Sequence, residues 1–173
     1  MSIQLLFCIE ADNKSQTDWV YIQSVIDAFF KVSTSVSIKK IGMGGKGNFR
    51  RPKVIRQIRE KTNAYKRNGE TIVIYCIDTD DLFTNPDRER EFHEIEEYCW
   101  ETGAELIWFC RDIEEVFWGE RISSSDKVAY AARFRRQNMI TEVEEEKLCT
   151  GSCAKKSSCI VVVLEKYLER KKI

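Results

Sequence analysis

The 173-residue sequence predicts an α/β fold in which a central, mostly parallel four-stranded sheet is flanked by helices. Three observations support this prediction. Short apolar runs alternate along the chain with segments whose apolar residues recur at helical spacing. Turn-forming residues, mainly Gly, Pro and Asn, separate these segments. Each strand-like run also ends in charged or polar residues, which would gather at one edge of a parallel sheet.

The first strand and helix are predicted near the start of the chain. Residues 3–10 are apolar and strand-like, and residues 16–30 carry apolar side chains at the spacing of an amphipathic helix. Ser15 and Asp18 are expected to form the capping pair of that helix.

A second strand and helix follow, joined by a glycine-rich basic loop. Residues 35–41 alternate in polarity, which indicates a strand near an edge of the sheet. Residues 42–51 contain four glycines and several basic side chains. Pro52 suits the first turn of a helix, and Gly69 suits the turn that ends it.

The third and fourth strands enclose a further helix. Residues 71–77 are apolar and mostly β-branched or aromatic, and residues 104–110 form a similar run. Between these strands, a helix is expected to begin at Pro86 and to end at Gly103.

The last third of the chain is predicted to be mainly helical. Its expected elements are a short helix at 112–118 capped by Asp112, a helix at 126–138, a loop or short helix at 141–156 and a final helix at 158–171. We therefore interpret residues 1–120 as the α/β core. Residues 121–173 are a helical extension packed on that core, within a single globular unit.

The composition excludes several classes of protein. Apolar residues make up 43% of the chain and charged residues 32%, as in a globular protein rather than a disordered one. No apolar run approaches the roughly 20 residues of a membrane span. The first residues lack the basic flank of a signal peptide. We expect a cytoplasmic protein without a membrane partner, whose cysteines stay reduced.

Cys149, Cys153 and Cys159 are close together in the sequence. Because they lack a C-x-x-C pair and a nearby His, the pattern does not favour a zinc site.

Three carboxylates follow the third strand within four positions. Asp78 and Asp80 are two residues apart, so in an extended segment they would project to the same side. Asp81 follows directly. Neighbouring carboxylates repel one another unless a cation or a proton lies between them. Oxygen ligands of this kind suit Mg²⁺ or Mn²⁺, so the pattern predicts a metal site, although acidic residues also begin ordinary turns.

Charge is segregated although the net charge is zero. Residues 46–67 are strongly basic, whereas residues 87–120 are mainly acidic. The basic residues nearest the glycine loop are candidates for binding a phosphate backbone, and they are Lys46, Arg50, Arg51, Lys53 and Arg56. Amides of the loop glycines could add to such an anion site. The alternative is a solvated helix surface.

Short motifs at the strand ends resemble the TOPRIM family. A Glu after the first strand (Ile9-Glu10) and a D-x-D after a later one (Ile77-Asp78-Thr79-Asp80) are similar to that family's pattern. The resemblance is to its standalone nucleases, the RloB-like and overcoming-lysogenization-defect groups. Three further sets of residues are similar to positions in these nucleases, namely Thr17-Asp18, Tyr21, and Glu114, Glu115 and Trp118.

The resemblance implies a TOPRIM/Rossmann-like core that cleaves nucleic acid with a metal ion. It assigns catalysis to Glu10, Asp78 and Asp80, and Mg²⁺ or Mn²⁺ binding to these residues together with Asp81. Glu10 would either bind the metal or act as general base. The expected partner is DNA or RNA, with a homodimer or a partner ATPase to place it, in phage defence or a mobile element. For Asp18 and Glu115, helix capping is the favoured role.

Two other interpretations remain open. The glycines at 42, 44 and 47 fit G-x-G-x-x-G, which would indicate nucleotide binding, but a suitable acidic residue downstream is missing. Alternatively, the chain is a non-enzymatic regulatory or binding module. Such a module would be either a degenerate TOPRIM domain or a receiver-like domain whose acidic pocket is formed by Glu10, Asp12 and Asp78.

Overall fold

A computed structural model describes residues 2–172. In chain order its helices and strands are β1 (Ser2–Ile9), α1 (Thr17–Phe29), β2 (Phe30–Lys31), β3 (Val36–Gly42), α2 (Pro52–Tyr65), β4 (Gly69–Asp78), α3 (Pro86–Thr102), β5 (Glu105–Phe109), α4 (Ile113–Trp118), α5 (Lys127–Arg136), α6 (Ile160–Leu164) and β6 (Glu169–Arg170). Short 3₁₀ turns lie at Lys46–Asn48, Met139–Glu142 and Glu145–Leu148.

The central sheet has four parallel strands in the order β3-β1-β4-β5, which confirms the predicted fold class. β1 lies between β3 and β4; it pairs with β4 along its whole length and with β3 from Ile3 to Ile9. Parallel strands need crossover connections, and α1, α2 and α3 provide them.

Helices cover both faces of the sheet. Phe7 on β1 packs against Trp19 of α1, with ring centroids 5.3 Å apart. Tyr75 on β4 faces the other side, where its ring lies 6.0 Å from Tyr98 of α3 and its hydroxyl donates to the Phe49 carbonyl. Burial on both faces explains why β1 and β4 read as almost continuous apolar runs.

The predicted capping pair of α1 is wrong. The N-cap is Gln16, which has a left-handed backbone conformation and makes no side-chain cap. The Asp12 carboxylate turns the preceding loop by accepting from the amides of Lys14 and Ser15. Asp18 is in the first helical turn, and its carboxylate reaches back to the Ala11 amide at 2.9 Å.

The C-terminal region is helical, as predicted, but its last helix is much shorter than residues 158–171. α6 ends at Leu164, and β6 pairs with β2 in an antiparallel two-stranded sheet. The Lys171 amide extends this contact by donating to the Phe29 carbonyl. Pairing between segments this far apart in sequence leaves no local pattern, which is why the helical stripe misled the prediction.

An aromatic cluster joins this region to the core. Tyr21 of α1 stacks on Phe117 of α4 at 5.2 Å and meets Phe134 of α5 edge-on at 4.9 Å. The Trp118 indole donates to the Tyr21 hydroxyl at 3.1 Å, which satisfies a polar group inside the cluster.

Within residues 2–172, no helix is both long and apolar enough to cross a bilayer.

Phe134→Ala should lower the free energy of unfolding by about 3–5 kcal/mol, because it opens a cavity in this cluster. The control on the same helix is Val128→Ala, whose side chain is 61% exposed, and we expect a change below about 0.5 kcal/mol. Urea unfolding followed by circular dichroism measures both. A transition that splits in two in the Phe134 variant would show that α5 is not part of the same cooperative unit.

Candidate active site

The crevice beside β1 is where this topology favours a ligand. The chain moves from β1 to β3 on one side and then crosses to β4 on the other, so the strand order reverses between β1 and β4. In open α/β sheets, ligands bind outside the carboxyl ends of the strands at such a switch point. Glu10 directly follows β1, and Asp78 is the last residue of β4.

Backbone amides hold these two carboxylates in place. The Asp78 amide donates to Glu10 Oε1 at 2.7 Å, which joins the ends of the two strands. Asp78 Oδ1 in turn accepts from the Ile113 amide at 3.0 Å, at the start of α4. Both side chains are partly buried, so contacts within the protein hold the two carboxylates in position.

Two further carboxylates complete an acidic cluster, which we define as Glu10, Asp18, Asp78 and Glu114. Asp18 is held by the Ala11 amide. Glu114 is fully buried, and its Oε2 accepts from Lys127 Nζ at 2.9 Å. Within residues 2–172, its other oxygen, Oε1, has no hydrogen-bond partner. A buried carboxylate oxygen without a partner is costly, and a proton or a cation would relieve that cost.

Burial makes negative charge on the acidic cluster unfavourable. Burial raises the pKa of Glu10 to about 8, and the nearby Asp18 and Asp80 add to the rise, although the Asp78 amide and Lys46 oppose it. Burial, and then the charge of Glu10, raise the pKa of Asp78 well above its usual range. Burial also raises the pKa of Asp18 and Glu114. The cluster must therefore take up protons or a cation at neutral pH.

Asp80 is held away from Asp78 rather than beside it. β4 ends at Asp78, and Asp80 has a left-handed backbone conformation with its amide bonded to the Arg111 carbonyl. Its carboxylate accepts from Lys46 Nζ at 2.6 Å. Asp81 faces Arg111, with 3.7 Å between the charged groups. The D-x-D-D motif thus divides its side chains among three different environments.

Lys46 is a cation fixed beside Asp78 and Asp80. It is only 6% exposed, and its ammonium donates to the Asp78 carbonyl at 3.0 Å as well as to Asp80. Glu91 lies 3.6 Å from the same ammonium. Because its charge is used within the protein, Lys46 is poorly placed to bind an external phosphate backbone.

The donor chemistry suits a hard cation, but the side chains do not converge as they stand. Carboxylate oxygens at a strand end are the ligands that Mg²⁺ and Mn²⁺ prefer. However, among residues 2–172 no three Asp, Glu, His or Cys side chains are close enough together to hold an ion. Metal binding therefore requires side-chain movement, and for Asp80 it also requires release from Lys46.

Two amides of the glycine-rich loop, those of Gly42 and Gly45, are used within the protein. The Gly45 amide donates to the Glu10 carbonyl at 2.8 Å, so it is not free to bind an anion. Gly42 lies against the loop after β1, where an added Cβ would be 2.7 Å from the Ala11 carbonyl oxygen. Close backbone packing thus explains Gly42, a positive φ of 121° explains Gly45, and both features weaken the nucleotide-binding interpretation.

The remaining candidates for backbone binding lie on the surface at the same edge of the sheet. Arg50, Arg51, Lys53 and Arg56 are exposed between the glycine loop and the second turn of α2. Arg50 lies 3.3 Å from Glu94, and Arg56 lies 3.9 Å from the next-turn Glu60. Within residues 2–172, Arg51 and Lys53 have no ion-pair partner, so they are the cations most available to a polyanion.

Other predicted residues take structural roles. Asp112 caps α4, as predicted, by accepting from the Glu115 amide at 2.7 Å. Glu115 is buried beside Arg111, at 3.3 Å. Asp12 is exposed and bonded within its own loop, so it does not join the acidic cluster as a receiver-like pocket would require.

Sequence reasoning undervalued three residues of the site. Asp18 and Glu114 resemble TOPRIM positions, but a carboxylate in a first helical turn favours capping as the role of Asp18. Lys127 gave no signal, since one lysine at the start of a polar helix is ordinary. Only the packing of α5 against α1 and α4 brings it to Glu114.

No protein-family model matches this chain, and no curated protein sequence matches it significantly. Its class therefore follows from the fold and the site: an α/β protein with a four-stranded parallel sheet, helices on both faces and a helical C-terminal region.

In metal-free buffer, the free energy of unfolding should fall as the pH rises from about 4.5 to 8. Folded Glu10 keeps its proton to a pKa of about 8, whereas the unfolded chain releases it near 4.5, so folding is favoured at the lower pH. Glu10→Gln should reduce this fall by about 1–3 kcal/mol. Urea unfolding in EDTA at pH 5 and pH 8 measures it, with exposed Glu60→Gln as the control. An equal pH dependence in both variants would contradict the burial argument.

Proposed function

We propose that this chain is a metal-dependent enzyme that cleaves phosphodiester bonds of nucleic acid on a TOPRIM-like core. The observation that carries the proposal is the acidic cluster at the β1/β4 switch point. Its central pair, Glu10 and Asp78, occupies the two strand ends that the TOPRIM-like motifs mark. The unpartnered oxygen of Glu114 and the surplus of buried negative charge favour a cation there.

The roles of the residues follow from their environments. Bound Mg²⁺ or Mn²⁺ would polarise the phosphoryl oxygen and activate water. Glu10 is suited to accept a proton, since its raised pKa lies close to neutral pH. Asp78 would be a metal ligand whose carboxylate is oriented by the hydrogen bond from the Ile113 amide at the start of α4. Asp80 and Asp81 would join as ligands only by exchanging Lys46 and Arg111 for the ion.

The proposed substrate is DNA or RNA, approached through its backbone. Arg51 and Lys53 are exposed beside the site and unpaired within residues 2–172, and Arg50 and Arg56 add charge to the same surface. Such a surface binds phosphates without reading sequence. A homodimer or a partner ATPase would help a chain of this size to place its substrate, in phage defence or a mobile element.

A non-enzymatic binding or regulatory module is the second candidate. It is favoured by the Lys46–Asp80 ion pair, in which a lysine already fills the position of a cation. In that case the acidic cluster would hold protons rather than a metal, and the fold would serve for contact with a partner.

Asp78→Asn should reduce metal affinity and lower metal-dependent cleavage by at least about 100-fold, because a catalytic metal supplies several kcal/mol. Calorimetric titration of Mg²⁺ and Mn²⁺, and a nuclease assay on the same samples, measure the two effects. The control is Asp87→Asn on α3, whose side chain is exposed. Metal binding without cleavage in the wild type would favour the regulatory module. Absence of metal binding would contradict the proposal of a metal-dependent enzyme.

Arg51→Gln/Lys53→Gln should weaken oligonucleotide binding. It should also make the slope of the log binding constant against log salt concentration shallower, as expected for the loss of about 1–2 phosphate contacts. Fluorescence anisotropy with labelled DNA and RNA in EDTA measures binding without cleavage. The matched control is Lys66→Gln/Arg67→Gln, which removes the same charge beyond the other end of α2. Equal losses in both variants would show that only net charge matters at this surface.

A further inference from the structure

Two cysteines far apart in sequence meet beside the candidate site. All seven cysteines are free thiols in the structure. Cys110 directly follows β5, whereas Cys153 lies in the loop before α6. Cys153 Sγ lies 3.8 Å from the Thr79 hydroxyl, and the backbone four residues after it bonds to the Cys110 amide, so the two cysteines lie in the same part of the fold. The sequence cluster is therefore divided: Cys149 is exposed, Cys153 lies beside Thr79, and buried Cys159 accepts from the Trp108 amide.

The backbone fixes this thiol pair from both sides. The Cys110 amide donates to the Ser157 carbonyl at 2.9 Å, and the Ser158 hydroxyl donates to the Trp108 carbonyl at 2.7 Å. An antiparallel bridge between Phe109 and Ser158 continues the contact. The loop that carries Cys153 is therefore held alongside the end of β5, where Cys110 lies.

Thr79 connects the thiol pair to the D-x-D motif. Its hydroxyl lies 3.8 Å from Cys153 Sγ and accepts from the Arg111 amide at 2.9 Å. Thr79 is the residue between Asp78 and Asp80, so Cys153 lies beside the loop that carries both carboxylates.

The two thiols differ in reactivity. The hydrogen bond from Cys153, assisted by Thr79, lowers the pKa of Cys110 to about 7, so a large fraction is thiolate at neutral pH. The same hydrogen bond raises the pKa of Cys153, which remains a thiol. Cys110 itself is 2% exposed, but it lines a cavity of about 270 Å³ that also contains Arg111 and Lys155. A small oxidant has room to enter there.

We propose that Cys110 and Cys153 form a peroxide-oxidised, reversible disulfide. The Cys110 thiolate attacks one oxygen of hydrogen peroxide, the O–O bond breaks and hydroxide leaves, giving a sulfenic acid at Cys110. Cys153 then attacks that sulfur, the S–S bond forms and water leaves. Two thiols and one peroxide give one disulfide and two waters, and a reducing dithiol restores the thiols. This inference is independent of the proposed nuclease activity.

The test is peroxide treatment of the full chain, with peptide mapping by mass spectrometry and thermal unfolding. We expect a Cys110–Cys153 cross-link, a Tm higher by several degrees and reversal by dithiothreitol. Cys153→Ser should leave a sulfenic acid at Cys110 that a cyclic dione traps, and Cys110→Ser should abolish cross-linking. The matched control, Cys149→Ser, should behave as the wild type.

Cross-links that involve Cys149, or oxidation of Cys110 no faster than that of buried Cys8, would overturn the proposal. If a serine variant fails to fold, the peptide map of the wild type decides alone, since it identifies the paired residues without substitution. Retained cross-linking of Cys110 to Cys153 at matched peroxide in the absence of any nuclease activity would support the thiol site and count only against the enzyme.

Discussion

The cost of burying carboxylates at one sheet edge shapes most of this molecule. The hydrogen bond from the Asp78 amide to Glu10 joins β1 and β4 at the switch point, and the acidic cluster is built around it. Two lysines partly neutralise the carboxylates at this edge, Lys46 beside Asp80 and Lys127 beside Glu114. Uncompensated buried charge is expensive, so these lysines stabilise the folded core as well as tune the site.

The same constraint explains the glycine-rich loop and the C-terminal helices. Lys46 can reach Asp80 only because the loop folds back on Glu10 through the Gly45 amide. Lys127 can reach Glu114 only because α5 docks on the aromatic cluster around Tyr21. The glycine-rich loop and α5 therefore supply the two lysines that lie beside the buried carboxylates. Through α5, the helical C-terminal region is part of the site.

Periodic patterns predicted the fold well because they reflect burial on both faces of the sheet. Strand ends carried enough information to select Glu10 and Asp78, since parallel strands must end at the same edge. The separation of the Asp80 side chain from Asp78 was not predictable, because Asp80 leaves the strand in a left-handed conformation that Asp tolerates. The partners of Lys127 and Cys153 depend on long-range packing, which no local pattern records.

The small β2–β6 sheet has a practical consequence for handling the protein. Because α1 runs back across the sheet, its last residues lie at the amino ends of the strands, opposite the crevice. β6 docks there against β2, and the Lys171 amide bonds to Phe29. A fluorophore or surface tether attached near Arg170 would thus sit on the far side of the molecule, leaving the acidic edge open to whatever it binds.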